Sequence, residues 1–275
     1  MLPLLNLGTL KAAKAGASLC QALQETGFLY LCNHGIPKPL QAELLEVSTR
    51  FFAKPLPVKS EIEMKNAGAA WRGYFATGAE LTLGKPDQKE GLYFGAEHEN
   101  SHPGVLKAWP MHGRNQWPGS KELQKMRPLV LEYMAECAGL GQRLMACIAL
   151  GLGLKESYFA DRFTAEPTTL FRIFNYPVSA GSTWGVAEHT DMGFLTLLFQ
   201  DEKGGLEVLS QENSWIPVPP IEGTLVINIG DMLEYWTHGL FRATPHRVRN
   251  ASGQPRLSLP FFLDTNWKAT MEPNP

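Results

Sequence analysis

Three residues in the C-terminal half of the chain have the types and the spacing of metal ligands. His189 and Asp191 are separated by one residue, and His246 follows after a long gap. Residues two apart on a β-strand point to the same side, so His189 and Asp191 can reach one ion from the end of one strand. Two imidazoles and one carboxylate are the ligand set of a non-haem Fe(II) site with open positions for substrate and dioxygen.

A chain with seven histidines contains such spacings by chance, so the pattern alone is a weak indication of a metal site. The sequence around these residues adds the support. An apolar segment, residues 193–200, follows Asp191, and the end of a strand there would present the ligand pair. His246 opens another short apolar stretch. We therefore predict that strand ends bring the three side chains to one ion.

A second pair, Arg256 and Ser258, lies on the last predicted strand, beyond a predicted hairpin turn at residues 252–253. The two residues are again two apart and share one face. A guanidinium buried on an otherwise apolar strand is costly unless an anion meets it. Two partners remain open: an internal carboxylate, or the carboxylate of a small molecule held by the arginine fork and the serine hydroxyl.

Helices in the first half and strands in the second must position these residues. Apolar residues at three- and four-residue steps predict helices over 11–26, 39–52 and 120–150, and Pro128 either marks the first turn of the last helix or kinks its start. Residues 68–118 lose this periodicity and are predicted to be irregular. Short strands are predicted at 28–32, 170–176, 193–200, 206–209, 215–218, 224–229, 246–248 and 257–264, with one helical turn at 232–237.

Many short strands in succession, without long helices between them, favour an antiparallel sandwich or jelly roll. The predicted fold is mainly β with α. It is a distorted double-stranded β-helix (jelly roll) with an N-terminal helical region and a long supporting helix. We predict three segments in one compact unit: 1–118, 119–165 and 166–275.

Composition excludes several classes of partner. The net charge of −2 and the pI of about 6.4 give no basic excess for nucleic acid or an anionic membrane surface. No apolar run is long enough to span a membrane, and the N-terminus lacks a basic leader segment. The four cysteines form no CxxC pair and are expected to be reduced thiols. The sequence thus predicts a cytoplasmic monomer with a small-molecule substrate.

Motifs along nearly the whole chain resemble the isopenicillin N synthase-like, plant-type 2-oxoglutarate/Fe(II) dioxygenases. They occur in that family's order and spacing, and the most specific lie between residues 175 and 258. The motifs are Phe28-Leu-Tyr-Leu-Cys-Asn-His-Gly-Ile, Arg72-Gly-Tyr, Asp87-Gln-Lys-Glu-Gly, Asn175-Tyr-Pro, Glu188-His-Thr-Asp-Met-Gly-Phe-Leu-Thr-Leu-Leu-Phe-Gln-Asp, Gly204-Gly-Leu-Glu-Val, Val226-Ile-Asn-Ile-Gly-Asp, His246-Arg-Val and Arg256-Leu-Ser.

This resemblance implies a role for each motif residue. His189, Asp191 and His246 would ligate Fe(II). Arg256 and Ser258 would hold the distal carboxylate of 2-oxoglutarate, with Tyr176 as a further donor to that cosubstrate. The implied reaction couples O2 and the decarboxylation of 2-oxoglutarate to succinate and CO2 with oxidation of a C–H bond in a small organic metabolite. Because relatives that transfer halide carry a small residue in place of Asp191, the resemblance argues against halogenation.

Aromatic residues are candidates for the substrate wall, and Tyr74, Phe94, Trp184 and Phe262 are predicted to line it. The wider set of candidates also contains Tyr93, Phe194 and Trp267. An apolar wall favours a small organic substrate.

The remaining polar candidates are given structural roles. His34 is expected to make structural hydrogen bonds, and Asn228 and Asp231 to fix the geometry of a turn. The histidines of the irregular segment, His98, His102 and His112, are expected to be exposed loop residues.

Two alternatives stay open. The first is an iron oxidase of the same fold that does not consume 2-oxoglutarate, since some relatives use the Arg-x-Ser pair for their own substrate's carboxylate. The second, from another class, is a catalytically silent jelly roll that only binds a ligand; an intact metal triad disfavours it.

Overall fold

The strands of the protein divide between a large sheet, a small sheet and one short hairpin. A computed structural model describes residues 1–9, 12–178, 184–250 and 252–272. Its strands are β1 (Leu4–Asn6), β2 (Phe28–Cys32), β3 (Gly73–Phe75), β4 (Leu81–Thr82), β5 (Lys85–Pro86), β6 (Glu90–Gly95), β7 (Pro167–Tyr176), β8 (Val186–His189), β9 (Leu195–Gln200), β10 (Leu206–Leu209), β11 (Trp215–Pro217), β12 (Thr224–Ile229), β13 (His246–Val248) and β14 (Arg256–Asn266).

The helices lie mainly in the first half of the chain. They are α1 (Ala12–Glu25), α2 (Lys38–Phe52), α3 (Leu56–Ser60), α4 (Pro103–Leu106), α5 (Met126–Gly151) and α6 (Asp231–Trp236). Pro128 lies in the first turn of α5, where its missing N–H has no helical partner to lose. The long helix contacts α1 and α2 on one side and strands β9 and β14 on the other.

The large sheet runs in the order β1-β2-β12-β9-β14-β7-β6-β3, and the small sheet in the order β11-β10-β13-β8. All pairings are antiparallel except that of β1 with β2. Strands adjacent in the large sheet come from distant parts of the chain, as in a jelly roll. This arrangement confirms the predicted fold class, including the helical N-terminal region and the long supporting helix.

The two faces of the large sheet contribute to different cores, because successive side chains on a strand alternate between them. On β14, Leu257, Leu259 and Phe261 join the core between the sheet and the helices. The opposite face, called the inner face below, packs against the small sheet through a second apolar cluster. Arg256 and Ser258 lie four and two residues before Pro260 on that inner face, at one end of β14.

The predicted elements of the C-terminal half match the structure within a few residues, but three predictions were wrong. Residues 68–118 were predicted to be irregular, yet they contain β3 and β6, which pair with each other and with β7. Strand β8 was not predicted. The link from His246 to Arg256 is not a hairpin, because β13 belongs to the small sheet and β14 to the large one.

The four cysteines are free thiols, as predicted. Among the described residues, no helix combines the length and the apolar character needed to cross a membrane.

Candidate metal centre

Two neighbouring strands and one loop bring the predicted metal ligands together. His189 ends β8, His246 begins β13, and the two residues face each other directly in the antiparallel register. Asp191 lies in the loop that follows β8, not on a strand with His189, so the predicted strand alternation does not account for its position. The candidate ligand atoms of all three residues lie within 4.8 Å of one another, and His246 Nε2 is 3.7 Å from Asp191 Oδ1.

Backbone carbonyls orient both imidazoles. Nδ1 of His189 lies 2.8 Å from the carbonyl oxygen of Ala187, and Nδ1 of His246 lies 3.2 Å from that of Thr244. A carbonyl oxygen only accepts, so each Nδ1 carries the proton and each Nε2 keeps its lone pair. This is the arrangement in which metal-ligating histidines are commonly held.

Two side chains of the large sheet hold the Asp191 carboxylate. Its Oδ2 accepts hydrogen bonds from Thr196 Oγ1 at 2.6 Å and from Asn228 Nδ2 at 2.7 Å. Thr196 and Asn228 are directly paired across β9 and β12. Sequence reasoning assigned Asn228 to a turn and overlooked Thr196, because neither contact can be found without the register of two strands that are distant in sequence.

The electrostatics of the cluster suit a divalent cation. Burial alone would raise the pKa of Asp191, but the neighbouring His246 and His189 and the two hydrogen bonds outweigh burial and hold this pKa below its usual value. Burial and the nearby His246 lower the pKa of His189 to about 4. At neutral pH the cluster therefore offers a carboxylate and a neutral His189 imidazole, the protonation states that metal ligation requires.

The first residue of α6 holds the loop that carries Asp191. The backbone N–H of Asp231 donates to the Asp191 carbonyl at 2.7 Å, and Thr190 Oγ1 donates to Asp231 Oδ2 at 3.1 Å. Gly230 leaves room for this approach, since a Cβ there would lie 2.7 Å from the Asp191 carbonyl oxygen and against that of Gly193. Asp231 therefore contacts this loop from the start of α6, and its predicted role in fixing a turn stays a prediction.

Beyond the metal cluster, on the inner face, lies a buried arginine without an anionic partner. Arg256 has no exposed surface, and its Nη2 donates to Gln200 Oε1 at 3.1 Å. Its Nε and Nη1 are buried and have no hydrogen-bond partner, and no ion pair joins it to a carboxylate of the described chain. Burial lowers the pKa of Arg256, opposed by the neighbouring Tyr176 and Asp201. An internal carboxylate is thus not the partner, and the geometry fits an incoming anion.

Tyr176 and Ser258 lie beside this guanidinium. Tyr176 is opposite Arg256 in the β7–β14 register, and its ring centroid is 4.9 Å from Arg256 Cζ. Ser258 is buried two residues farther along β14, on the same face. Three donors of the predicted cosubstrate site therefore converge on one region of the inner face.

The four predicted wall residues do not share one surface. Phe262 lies on the inner face and packs against the inter-sheet cluster, so its predicted wall role stands as a prediction. Tyr74 and Phe94 belong to the core on the helical side of the large sheet, so their assignment to the wall was wrong. On β3 and β6 the alternation instead directs Phe75 and Tyr93 to the inner face.

Trp184 was also wrongly assigned to the wall. Its ring lies 4.1 Å from the guanidinium carbon of Arg247 and 4.3 Å from that of Arg249. Arg247 alternates with the inward-facing His246 and Val248 on β13, which places this stack on the outer face of the small sheet. Two arginines surround Trp184, so an apolar wall cannot form there.

A second histidine cluster appears where exposed loop residues were predicted. His98, His102 and His112 pack half-buried against one another, with ring centroids 4.4 to 5.5 Å apart and candidate ligand atoms within 4.8 Å. Burial and the other two rings lower the pKa of His98 to about 4. Nδ1 of His102 accepts the Gly104 N–H and Nδ1 of His98 the Gly113 N–H, which leaves their protons on Nε2. This arrangement is the reverse of the one in the His189–Asp191–His246 cluster.

Comparison with known proteins agrees with these observations. Residues 2–120 match the family described as non-haem dioxygenase in morphine synthesis, N-terminal, and residues 167–265 match the 2OG-Fe(II) oxygenase superfamily. A probable iron/ascorbate oxidoreductase of Dictyostelium discoideum is 44% identical over 90% of this chain and 74% of its own length. A homoarginine-6-hydroxylase of Glycine max is 36% identical over 97% of this chain and 81% of its own.

Solved structures give the same result. A Neurospora crassa protein crystallised with alpha-KG and thymine superposes with a TM-score of 0.86 at 29% sequence identity. The alignment covers 100% of this chain and 88% of that one. The resemblance noted in the sequence is confirmed over both of its halves.

Proposed function

The chain belongs to the 2OG-Fe(II) oxygenase superfamily, and on that premise we propose that His189, Asp191 and His246 bind its Fe(II). As a member of this family it is an oxidoreductase that uses Fe(II), 2-oxoglutarate and O2 to oxidise a small metabolite. The observation that carries the assignment is that one ring nitrogen from each histidine and one carboxylate oxygen lie within 4.8 Å of one another.

The cosubstrate site is proposed on the same physical grounds. The distal carboxylate of 2-oxoglutarate would accept from Arg256, whose Nε and Nη1 lack partners, and from the Ser258 hydroxyl. Tyr176, held neutral because burial raises its pKa, would donate its hydroxyl proton to the same cosubstrate. These side chains fix the diacid in one orientation relative to the metal cluster.

The iron would supply activation of O2 coupled to decarboxylation of 2-oxoglutarate. The protein's own contribution is to keep Asp191 ionised, to fix both imidazole tautomers and to surround the site with apolar side chains. Phe28 illustrates the last point, since its ring packs edge-on against His246 at 5.2 Å between centroids. A dry, rigid site protects a reactive centre from side reactions.

The test of this function is succinate formation by the purified chain reconstituted with Fe(II) under anaerobic conditions and then supplied with O2. We expect succinate and CO2 in equal amounts, dependent on added 2-oxoglutarate and abolished by a chelator. Iron-dependent O2 consumption that needs a substrate but no 2-oxoglutarate would support the alternative iron oxidase. Binding of 2-oxoglutarate without any turnover would support the catalytically silent jelly roll.

Removing the hydrogen bond to Asp191 should weaken the metal site without dismantling it. For Asn228→Ala we expect Fe(II) affinity to fall roughly 10- to 100-fold, because outer partners of metal ligands have effects of that size. Titration of the apoprotein with Fe(II) under anaerobic conditions measures the change. Asn66→Ala, at an exposed asparagine, is the control and should bind as the parent does. Equal affinity in Asn228→Ala would show that the hydrogen bond does not support the metal site.

The substrate is proposed to be a small organic molecule, in line with a relative named for homoarginine hydroxylation and one crystallised with thymine. We further propose a cytoplasmic monomer that binds neither nucleic acid nor membranes, in which segments 1–118, 119–165 and 166–275 fold as one unit. Size-exclusion chromatography with light scattering, and unfolding monitored by calorimetry, test the monomer and the single unit. A dimer, or two separate unfolding transitions, would overturn them.

A further inference from the structure

Arg172 is a second inward-facing arginine of β7 and β14, and among the described residues no carboxylate forms an ion pair with it, although its charge lowers the pKa of the nearby Asp264 against the effect of burial. It alternates with Phe174 and Tyr176 along β7, which places it on the inner face. Its Nε is buried and has no hydrogen-bond partner. Within the described ranges, no hydrogen bond and no ion pair reaches its guanidinium. The buried lysines contrast with this half-buried arginine: Lys59 pairs with Glu90 at 2.7 Å, and Lys89 with Asp87 at 2.5 Å.

Aromatic rings surround the Arg172 guanidinium. Its Cζ lies 4.4 Å from the ring centroid of Tyr93, 5.0 Å from that of Phe262 and 5.9 Å from that of Phe174. The faces of these rings attract the cation, but they do not accept hydrogen bonds from the N–H groups that point outward in the guanidinium plane. The fork is therefore held in place while its hydrogen-bonding capacity stays free, which is the condition in which a planar anion binds with two parallel hydrogen bonds.

Arg172 lies within a small molecule's length of the metal cluster. Phe262, whose ring lies beside Arg172, faces Thr196 across β14 and β9. The Thr196 hydroxyl donates a hydrogen bond to Asp191. The strands run in the order β9, β14, β7, and neighbouring strands are about 4.8 Å apart, so Arg172 stands on the order of 10 Å from Thr196 across the sheet. Arg256 lies farther along β14, near Tyr176, and serves a different anion.

We propose that Arg172 binds a carboxylate of the molecule that is oxidised, so that the substrate is a small organic acid. This inference rests on the proposed function, since it takes the metal cluster as the reacting centre. A carboxylate on Arg172 places the acid between Tyr93 and Phe262 and directs the remainder of the molecule toward Asp191 and the histidines. The oxidised carbon is then several bonds away from the carboxylate.

The same carboxylate chemistry has a second source, the near carboxylate of 2-oxoglutarate, and the experiment separates the two. The probes are arylalkanoic acids of increasing chain length, each matched with its primary amide. Binding to the protein loaded with Mn(II) and 2-oxoglutarate is followed by thermal shift and calorimetry. The affinity for 2-oxoglutarate is measured separately in every variant.

Arg172→Gln, Arg172→Lys and Arg247→Gln are compared with the parent chain. Arg247 is the matched control, because it also stacks on aromatic rings but is paired with Glu207 at 2.7 Å on the outer face of the small sheet. We expect acids to bind the parent better than their amides. Arg172→Gln should weaken acid binding roughly 10- to 100-fold and remove the preference, because a charge-assisted hydrogen-bonded pair has an effect of that size. Arg172→Lys should keep a reduced preference, since the charge remains without the fork.

The outcomes that overturn the proposal are distinct. If no acid binds better than its amide, Arg172 does not recognise a substrate carboxylate. If Arg172→Gln lowers the affinity for 2-oxoglutarate at least tenfold and leaves the preference for acids over amides intact, the anion that Arg172 binds is a carboxylate of the cosubstrate. If the parent chain fails to bind 2-oxoglutarate at all, the proposed function itself fails, independently of Arg172.

Discussion

Replacement of His246 by alanine is expected to remove measurable Fe(II)-dependent turnover and to weaken Fe(II) binding by more than 100-fold. A change to an outer partner of a metal ligand already costs about 10- to 100-fold in affinity, so the loss of a ligand should exceed that range. His246 also lies 3.7 Å from Asp191, whose pKa it helps to lower. The variant therefore loses one ligand and part of what keeps a second ligand ionised. Anaerobic Fe(II) titration and succinate formation measure the two effects.

His112→Gln is the control for this prediction, because His112 belongs to the other histidine cluster. We expect it to retain the Fe(II) affinity and the turnover of the parent. Because His246 is buried, the folding of the His246→Ala variant must be checked. Far-UV circular dichroism and the melting temperature measured without 2-oxoglutarate provide this check. A folded His246→Ala protein that binds Fe(II) as the parent does would remove the histidine from the ligand set.

Arg256→Met should have the second-largest effect, acting on the cosubstrate and not on the metal. Truncating one partner of a buried, hydrogen-bonded charge pair costs roughly 2–4 kcal/mol, which corresponds to an increase of about 30- to 1000-fold in the 2-oxoglutarate concentration required. The concentration dependence of succinate formation measures it. Arg256→Lys keeps the charge but not the planar fork, so we expect an intermediate increase.

The same variant should be more stable than the parent when no 2-oxoglutarate is present. In the parent, the buried guanidinium of Arg256 lacks partners for Nε and Nη1, which is unfavourable until an anion arrives. Methionine fills a similar volume without an uncompensated charge. We expect a higher melting temperature for the Arg256→Met apoprotein and a smaller increase on adding 2-oxoglutarate, since ligand stabilisation falls with affinity.

Two outcomes would contradict this role of Arg256. An unchanged 2-oxoglutarate requirement in Arg256→Met would show that the arginine does not hold the diacid. A parent chain that works without 2-oxoglutarate, together with a variant impaired only in substrate binding, would assign the arginine to the substrate of an iron oxidase. Both results come from the same titration series.

The sequence alone determined most elements of the C-terminal half, though not β8, and the types of residue at the metal site. Alternation and turn residues locate short strands because these patterns depend on neighbours in sequence. The residue types of His189 and Asp191, and the Arg256–Ser258 pair, can also be recognised from the local sequence, although Asp191 reaches the site from a loop. Strands β3 and β6 were not predicted because every residue in them is buried, so no alternation of buried and exposed positions marks them.

Tertiary structure decided which residues meet across strands. Tyr74 and Phe94 are aromatic like Tyr93, but the pleat of β3 and β6 turns them to the helical side of the sheet. The support of Asp191 by Asn228 and Thr196 depends on the register of β9 with β12, which local sequence does not encode. The unpaired state of Arg172 likewise follows only from what surrounds it. Side-chain type is a property of one position, whereas a partner is a property of the folded chain, because sheet register is set by non-local packing.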